Sequence, residues 1–80
     1  MHSTPCFEAR RTRSGRVVAV GSPSDLAASL HGRVDLVAPD GREAATAVLV
    51  GIGRVWTDPY SGRVLAYGYL DGLETSLGAA

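Results

Sequence analysis

Apolar residues alternate with polar ones along much of this chain, at the two-residue period of a half-buried β-strand. In the segment FEARRT, Phe7 and Ala9 share one face while charged residues occupy the other. In RVDLVA, Val34 and Leu36 lie on the face that we expect to point inward. This alternation, together with the short apolar run RVVAV, predicts strands over 7–12, 16–20 and 33–38.

One segment, SPSDLAASL, breaks the alternation and carries the signals of a helix start. Ser22 is a favoured N-cap, and Pro23 fits the first helical position because its missing N–H needs no partner there. The two leucines of the segment lie one turn apart and define an apolar face. We expect a short helix over 23–30, ended by Gly32 in the left-handed conformation.

The stretch VLVGIGRVWTDPYSGRVLAYGYL predicts a long β-hairpin and holds the only Trp and all three Tyr residues. Asp58 and Pro59 suit the first two positions of a type I turn. Gly62 suits the positive φ that closes a bulged turn. We expect the last strand to cover 63–70 and to end before the Asp-Gly pair that follows it.

The strand before this turn is ambiguous at its beginning. EAATA over 43–47 is compatible with a helix, whereas VLVGI is typical of a strand. Agreement with the neighbouring turns favours a strand over 43–57, with bulges at Gly51 and Gly53. Its alternation puts four side chains on one face: Thr46, Val48, Val50 and Ile52.

Five or six short strands, tight turns and one short helix predict an all-β fold. We expect a small curled sheet or barrel, SH3-like or OB-like, since closure removes edges that so short a chain cannot otherwise cover. Residues 6–72 are expected to form a single domain. A flexible N-terminal tail over 1–5 and a C-terminal tail over 73–80 complete the expected organisation.

Two similar segments stand apart in the chain: SGRVVAVG over 14–21 and SGRVLAYG over 61–68 are identical at six of eight positions. Duplicated hairpins in a pseudo-symmetric barrel would explain the match. Chance matching among common residues would also explain it. The flanking residues do not match, which favours chance.

Composition predicts a thin core, because the apolar residues are mostly Val, Ala and Leu with a single Phe and a single Trp. A domain of this size buries only about 60–65% of its unfolded surface. Association with further copies, or with a protein partner that covers one face, would therefore stabilise it. We expect such a homo-oligomer or protein partner.

The formal net charge is zero, and every basic residue is Arg. Neutrality argues against non-specific nucleic-acid binding, which normally leaves a basic footprint. The N-terminal residues lack the apolar core of a signal peptide, and no apolar run approaches the length of a membrane span. We expect no membrane partner and a location in the cytoplasm or within a particle.

Residues that could carry catalysis or bind a metal are few and scattered. The single Cys6 excludes an internal disulfide, and His2 and His31 are the only histidines. No set has the spacing of metal ligands. His31 and Asp35 could form a catalytic base and the acid that orients it. However, His31 is expected at a helix end, where a cation suits the dipole, and Asp35 on the solvent face of a strand, which explains both residues without catalysis. We expect no enzyme, no cofactor and no metal.

The residues that we expect to make contacts lie on the hairpin: Arg54, Trp56, Arg63, Tyr67 and Tyr69. Alternation puts the last three on one face of the final strand and the first two on one face of its partner. If the register aligns these faces, aromatic rings and arginines share one side, as in single-strand nucleic-acid binders. The alternative is that the rings fill a core with few other bulky residues.

A second group of arginines lies near the N-terminus: Arg10, Arg11, Arg13 and Arg16. The chain that follows resembles the AbrB-type swapped-hairpin DNA-binding module in Gly15-Arg16-Val17-Val18, Pro23-Ser24-Asp25-Leu26, Leu30, Gly32-Arg33-Val34-Asp35-Leu36 and Asp40-Gly41. This resemblance implies an intertwined dimer in which the N-terminal arginines contact DNA. It ends at Gly41, because residues 42–70 have no counterpart in that module.

Two functions remain open from the sequence. The first is a non-enzymatic β-barrel module that acts through protein–protein contacts, as an accessory or structural subunit that associates with itself. The second is a nucleic-acid-binding protein, such as an AbrB-like regulator, that uses the hairpin face or the N-terminal arginines. Neutral charge, a thin core and the lack of a catalytic set favour the first.

Overall fold

The computed structural model describes residues 4–38 and 44–75 of the 80-residue chain. They form five strands and one helix: β1 (Cys6–Arg11), β2 (Val17–Gly21), α1 (Pro23–Ala28), β3 (Arg33–Val37), β4 (Ala44–Thr57) and β5 (Val64–Thr75). The predicted all-β fold with one short helix is confirmed. The boundaries of the strands fall within one residue of the predicted ones, except at the end of β5.

The five strands close into a barrel in the order β1-β2-β5-β4-β3. Neighbouring strands are antiparallel except where β3 closes the ring against β1 in parallel, with Phe7 opposite Leu36. The connection through α1 supplies the crossover that a parallel pair needs. The ring is therefore complete within one chain, and the narrower SH3-like or OB-like assignment stays a prediction.

Small and aliphatic side chains fill the barrel interior. Val34 and Leu36 are fully buried, as their alternation predicts. Nine described residues form the buried cluster, and the four alanines among them make the interior as thin as the composition predicts: Phe7, Ala19, Leu26, Val34, Leu36, Ala45, Ala47, Leu49 and Ala66.

The helix closes one end of the barrel. Its start is as predicted, because the Ser22 hydroxyl accepts a hydrogen bond from the backbone N–H of Asp25 at 3.2 Å. Leu26 is the buried residue of the helix, and it reaches the interior beside Gly21 and Gly68. A Cβ at Gly68 would lie 2.8 Å from Leu26 Cδ2, so this glycine leaves the space that Leu26 occupies.

The end of the helix differs from the prediction of 23–30 with Gly32 in the left-handed conformation. The helix ends at Ala28, and His31 takes the positive φ of 69°. Pairing with β4 imposes this turn, because the His31 N–H donates to the carbonyl of Leu49 at 2.6 Å. The Leu49 N–H in turn donates to the carbonyl of Gly32 at 3.0 Å.

The predicted strand over 43–57 is confirmed against the helical alternative by β4. Its register against β5 shifts between Leu49 and Gly51 and again between Ile52 and Val55, where bulges were expected. The predicted common face holds for Thr46, Val48 and Val50, whereas Ile52 departs from it, because it pairs with the buried Gly68 and packs against the interior. The buried residues of β4 are Ala45, Ala47 and Leu49, whereas Thr46 and Val48 are only partly buried and Val50 is 44% exposed.

Strand β5 runs past the Asp-Gly pair that was expected to end it. It continues to Thr75, and Gly72 accommodates the passage with a φ of 63°. Thr46 of β4 pairs with Glu74, so these residues belong to the hairpin and not to a tail. Residues 76–80 of the expected C-terminal tail, residues 1–3, and the turn expected at 39–41 lie outside the described residues.

The two similar segments noted in the sequence lie side by side. β2 and β5 pair antiparallel with Val20 opposite Tyr67, which are equivalent positions of the two segments. Gly21 faces Ala66, and Ala19 faces Gly68, so equivalent residues are related by a local two-fold axis. The resemblance between the segments therefore coincides with one seam of the barrel.

Candidate protein-contact surface

Trp56, Leu65, Tyr67 and Tyr69 lie together on the outer side of the barrel; we call them the aromatic surface. Ala66 and Gly68 of β5 are buried and point inward, so Tyr67 and Tyr69, which alternate with them, point outward. Trp56 pairs with Leu65, so Trp56 of β4 lies on the same side of the hairpin as the outward-facing residues of β5. The rings of Trp56 and Tyr67 meet at 4.7 Å between centroids, tilted by 44°.

Tyr69 is held in place on this surface from two sides. Its ring lies against the backbone of Gly51 and Gly53, where a Cβ at Gly53 would come within 2.6 Å of Tyr69 Cζ. On the other side the Arg16 guanidinium carbon lies 5.5 Å from the ring centroid, a cation–π distance. Because the two glycines have no side chains, the Tyr69 ring packs directly on their backbone.

Two valines of β2 lie under the aromatic surface. Ala19 points into the interior, so Val18 and Val20 point outward, yet they are only 0% and 8% exposed. Val20 faces Tyr67 across the β2–β5 seam. The tyrosines therefore cover apolar side chains on the outside of the barrel. The tyrosines are half-buried on the outer side of the barrel. They do not fill the interior, which was the alternative to a contact face.

The hairpin of β4 and β5 extends beyond the ring of strands. β3 pairs with β4 only as far as Val48, and β2 pairs with β5 only over 66–68. We call residues 54–65 the distal arm, because in this part of the hairpin the two strands pair only with each other among the described residues. Val55 is 54% exposed and Val64 is 49% exposed, so apolar side chains of the arm face solvent.

The turn of the distal arm is built as predicted. The Asp58 N–H donates to the carbonyl of Arg63 at 2.8 Å, and Gly62 takes a φ of 71°. The Ser61 hydroxyl donates to Asp58 Oδ2 at 2.6 Å, and this bond is the main reason why the pKa of Asp58 lies below its ordinary value. Tyr60 stands at the tip and is 96% exposed.

The two groups of arginines lie in different parts of the fold, although Arg10 is near enough to Asp58 of the distal arm to contribute, after Ser61, to its lowered pKa. Arg54 and Arg63 are exposed on the distal arm, near Trp56. Arg10 forms an ion pair with Glu8 at 3.0 Å, and Arg11 donates to the carbonyl of Gly15 at 3.1 Å. Among the described residues of the N-terminal group, only Arg16 lies over a ring of the aromatic surface.

Groups with catalytic chemistry do not converge in the described part of the chain. Residues 4–38 and 44–75 contain no cluster of three or more His, Cys, Asp or Glu side chains that could hold a metal ion. No hydrogen bond joins His31 to Asp35 among these residues. Cys6 is exposed and lines an open pocket of about 300 Å³ with Phe7 and Asp25.

Sequence reasoning missed part of this surface. Val55, Val64 and Tyr60 were not among the expected contact residues, although they are the exposed apolar residues of the arm. Val55 and Val64 flank the predicted turn, but their exposure depends on where β2 and β3 stop pairing with the hairpin, and the sequence does not show this. The contact between Arg16 and Tyr69 joins residues far apart in sequence, and nothing local predicts it.

Comparison with known proteins gives no match: no family model, no curated protein and no solved structure is similar to this chain. Among the described residues, no helix has the length and apolar character needed to cross a membrane. Any assignment of function therefore rests on the geometry of the aromatic surface and the distal arm.

Proposed function

We propose that this chain is a non-enzymatic assembly module, an accessory or structural subunit that acts through protein–protein contacts and associates with copies of itself. In this proposal the subunit lies in the cytoplasm or within a particle, as its sequence leads us to expect. The observation that carries the proposal is the distal arm, whose exposed apolar side chains extend beyond the barrel.

Energetics support a partner for the arm. A two-stranded hairpin without further packing is marginally stable in water. Val55 and Val64 leave about half of their surface in solvent, at 54% and 49%. Apolar surface removed from water stabilises by about 25 cal/mol per Å². A protein surface that covers the arm therefore both stabilises the hairpin and gains binding free energy.

Sedimentation velocity over a wide concentration range tests this proposal. We expect a concentration-dependent oligomer whose sole indole, Trp56, shifts its emission to longer wavelength on dilution. The double substitution Val55→Thr, Val64→Thr keeps the β-propensity of the arm and removes apolar contact. It is expected to weaken association about tenfold, which corresponds to about 1.4 kcal/mol.

Leu73→Thr is the matched control, because Leu73 is also exposed on this hairpin, at 42%, but lies at its other end. Its association is expected to match that of the unmodified protein. A protein that sediments as a monomer at every concentration, with a blue-shifted Trp56 emission, would contradict the proposal.

Nucleic-acid binding is the second candidate, favoured by one observation. Arg16 lies over Tyr69, on the same surface as the half-buried rings of Trp56 and Tyr67, and an arginine beside aromatic rings suits a nucleotide whose base stacks while its phosphate is neutralised. This candidate predicts quenching of Trp56 by single-stranded oligonucleotides that falls steeply as salt rises. Arg16→Ala should then weaken binding, whereas Arg33→Ala, an exposed arginine on β3, should not.

A further inference from the structure

We propose that a second copy of this chain adds to the free edge of β4, antiparallel to it, over the segment Arg54–Asp58. In this arrangement a two-fold axis passes beside Trp56, and Arg54 of each copy faces Asp58 of the other. The inference rests on the proposed self-association and names the surface that carries it.

The free edge follows from the hydrogen bonds of the hairpin. The N–H of Asp58 donates to Arg63, and Trp56 pairs with Leu65, so the backbone groups of these two residues face β5. Successive residues of a strand face opposite sides, so the N–H and C=O groups of Val55 and Thr57 point away from β5. No described residue forms a backbone hydrogen bond with them on that side.

Such an edge normally carries protection against pairing with another chain. Natural edge strands are blunted by charged side chains, proline or bulges. Here Val55, Trp56 and Thr57 form a short uncharged run between Arg54 and Asp58, and the register shift between Ile52 and Val55 lies just before it. The charges at the two ends of the run have opposite signs, so they disfavour pairing with an unrelated strand and favour an antiparallel copy of the same edge.

Symmetry restricts how two copies of this edge can meet. Two identical antiparallel strands related by a two-fold axis must bring outward-facing backbone groups against each other. With Trp56 at the axis, Val55 of one copy faces Thr57 of the other, and each such pair exchanges two hydrogen bonds. Two pairs form, and both use residues whose backbone groups are free in the single chain.

Charge selects this register from its neighbours. With the axis at Trp56, Arg54 of one copy faces Asp58 of the other, and the contact occurs twice. An axis at Val55 would place Arg54 against Trp56, an axis at Thr57 would place Trp56 against Asp58, and neither would pair Arg54 with Asp58. Arg54 is exposed and forms no salt bridge with any described residue, so its charge is available.

Trp56 gives the contact an apolar centre. The indole is half-buried and already tilted against Tyr67 at 4.7 Å, so its orientation is fixed before association. At a two-fold axis it meets the indole of the second copy, since side chains of a non-hydrogen-bonded antiparallel pair approach most closely. A preorganised aromatic residue at the centre of a contact is the usual site of its binding energy.

Disulfide trapping tests the register directly. In a Cys6→Ser background, Val55→Cys and Thr57→Cys chains are prepared separately and mixed in equal amounts under mild oxidation. Facing residues lie about 5.5 Å apart between Cα atoms, within disulfide reach. We expect cross-linked dimers in the mixture and none with either variant alone, because identical positions lie beyond about 7 Å.

Charge exchange is an independent test. Arg54→Asp should place like charges opposite each other twice and weaken dimerisation at least about tenfold. Asp58→Arg does the same but also removes the carboxylate that holds the turn, so its effect is interpreted only in the mixture with Arg54→Asp. An equal mixture of these two variants restores both ion pairs and should dimerise again. Arg33→Asp is the matched control, since Arg33 is exposed on β3, outside the distal arm, and its dimerisation should be unchanged.

The possible outcomes distinguish a failure of this interface from a failure of the proposed self-association. A protein that is monomeric throughout overturns both. An oligomer that Arg54→Asp does not weaken and that gives no cross-link in the mixture overturns this interface alone and leaves self-association standing. Cross-linking by Val55→Cys without Thr57→Cys overturns the register at Trp56.

Discussion

Gly68 shows at the scale of one residue how closely the barrel interior is filled. A Cβ at Gly68 would lie 2.5 Å from Leu49 Cδ1 and 2.8 Å from Leu26 Cδ2. Both leucines are fully buried and have no free direction in which to move. Gly68→Ala is therefore expected to lower the free energy of unfolding by about 1–3 kcal/mol through overpacking. Urea denaturation followed by Trp56 fluorescence measures this change.

Gly51→Ala is the control for that substitution, on the other side of the same hairpin. Its Cβ would lie 3.6 Å from Tyr69 Cδ2, an ordinary contact. We expect its stability to equal or exceed that of the unmodified protein, because alanine loses less backbone entropy than glycine on folding. A Gly68→Ala protein that is as stable as the unmodified protein would mean that the barrel interior has room for a methyl group beside Leu26 and Leu49.

Asp58 and Ser61 couple the turn of the distal arm to pH. The Ser61 hydroxyl keeps the pKa of Asp58 below its ordinary value of 3.8. A carboxyl group with a lowered pKa stabilises the fold at pH values above 3.8, and this contribution disappears as the pH falls through the lowered pKa. Ser61→Ala should therefore be less stable than the unmodified protein at pH 7, and the difference should shrink in acid.

Unfolding by urea at pH 7 and at successively lower pH measures this difference. Ser14→Ala is a suitable control, because Ser14 lies in the β1–β2 turn and its hydroxyl lies 3.0 Å from that of Thr12, with no carboxylate involved. Its effect should not change with pH. If the loss of stability caused by Ser61→Ala stayed constant as the pH fell through the pKa of Asp58, the result would contradict the role assigned to this hydrogen bond.

At the scale of the element, α1 is a short helix held by one side chain. Leu26 is its buried residue and is fully enclosed at the end of the barrel. Leu26→Ala should leave a cavity and cost about 2–5 kcal/mol of unfolding free energy. Ala27→Ser, at an exposed position of the same helix, should cost less than about 1 kcal/mol. Comparable losses would mean that Leu26 does not hold the helix to the barrel.

The elements differ in how far their sequence predicts them. β1 and β3 are regular, so alternation predicts which residues face inward, and Phe7, Val34 and Leu36 are buried as expected. In β4 the register shifts at Leu49 and Gly51, and each extra residue turns the following side chains to the other face. Alternation read across a bulge therefore assigns the wrong face, as it does for Ile52, which packs against the interior and not on the face of Thr46 and Val48.

Long-range pairing also explains the errors at element ends. An Asp-Gly pair alone is a turn signal, but the partner strand carries β5 through Asp71 and Gly72 to Thr75. The left-handed position after the helix falls on His31 and not Gly32 because of a hydrogen bond to Leu49. Local preferences predict where such features arise, whereas the partner strand decides which residue adopts them.

At the scale of the whole molecule, the candidate site was predictable in part. Alternation along the hairpin identified Trp56, Tyr67 and Tyr69 as a common face if the register aligned them, and the pairing of Trp56 with Leu65 aligns them. The length of the distal arm was not predictable, because it depends on where β2 and β3 stop pairing with the hairpin. The role of these residues in binding stays a prediction, which sedimentation, cross-linking and charge exchange can test.

The seam between β2 and β5 has a consequence for how the barrel opens. Three residue pairs close the ring there, centred on Val20 and Tyr67, and the parallel seam of β1 and β3 also has three pairs, whereas β4 and β5 pair along most of their length. Local opening separates first the elements with the fewest shared backbone hydrogen bonds. The amide protons of Ala19–Gly21 that bond across the seam should therefore exchange with solvent sooner than those inside the β4–β5 hairpin. Before it unfolds as a whole, the barrel therefore opens at one of these two short seams into a curved sheet that the β4–β5 hairpin still holds together.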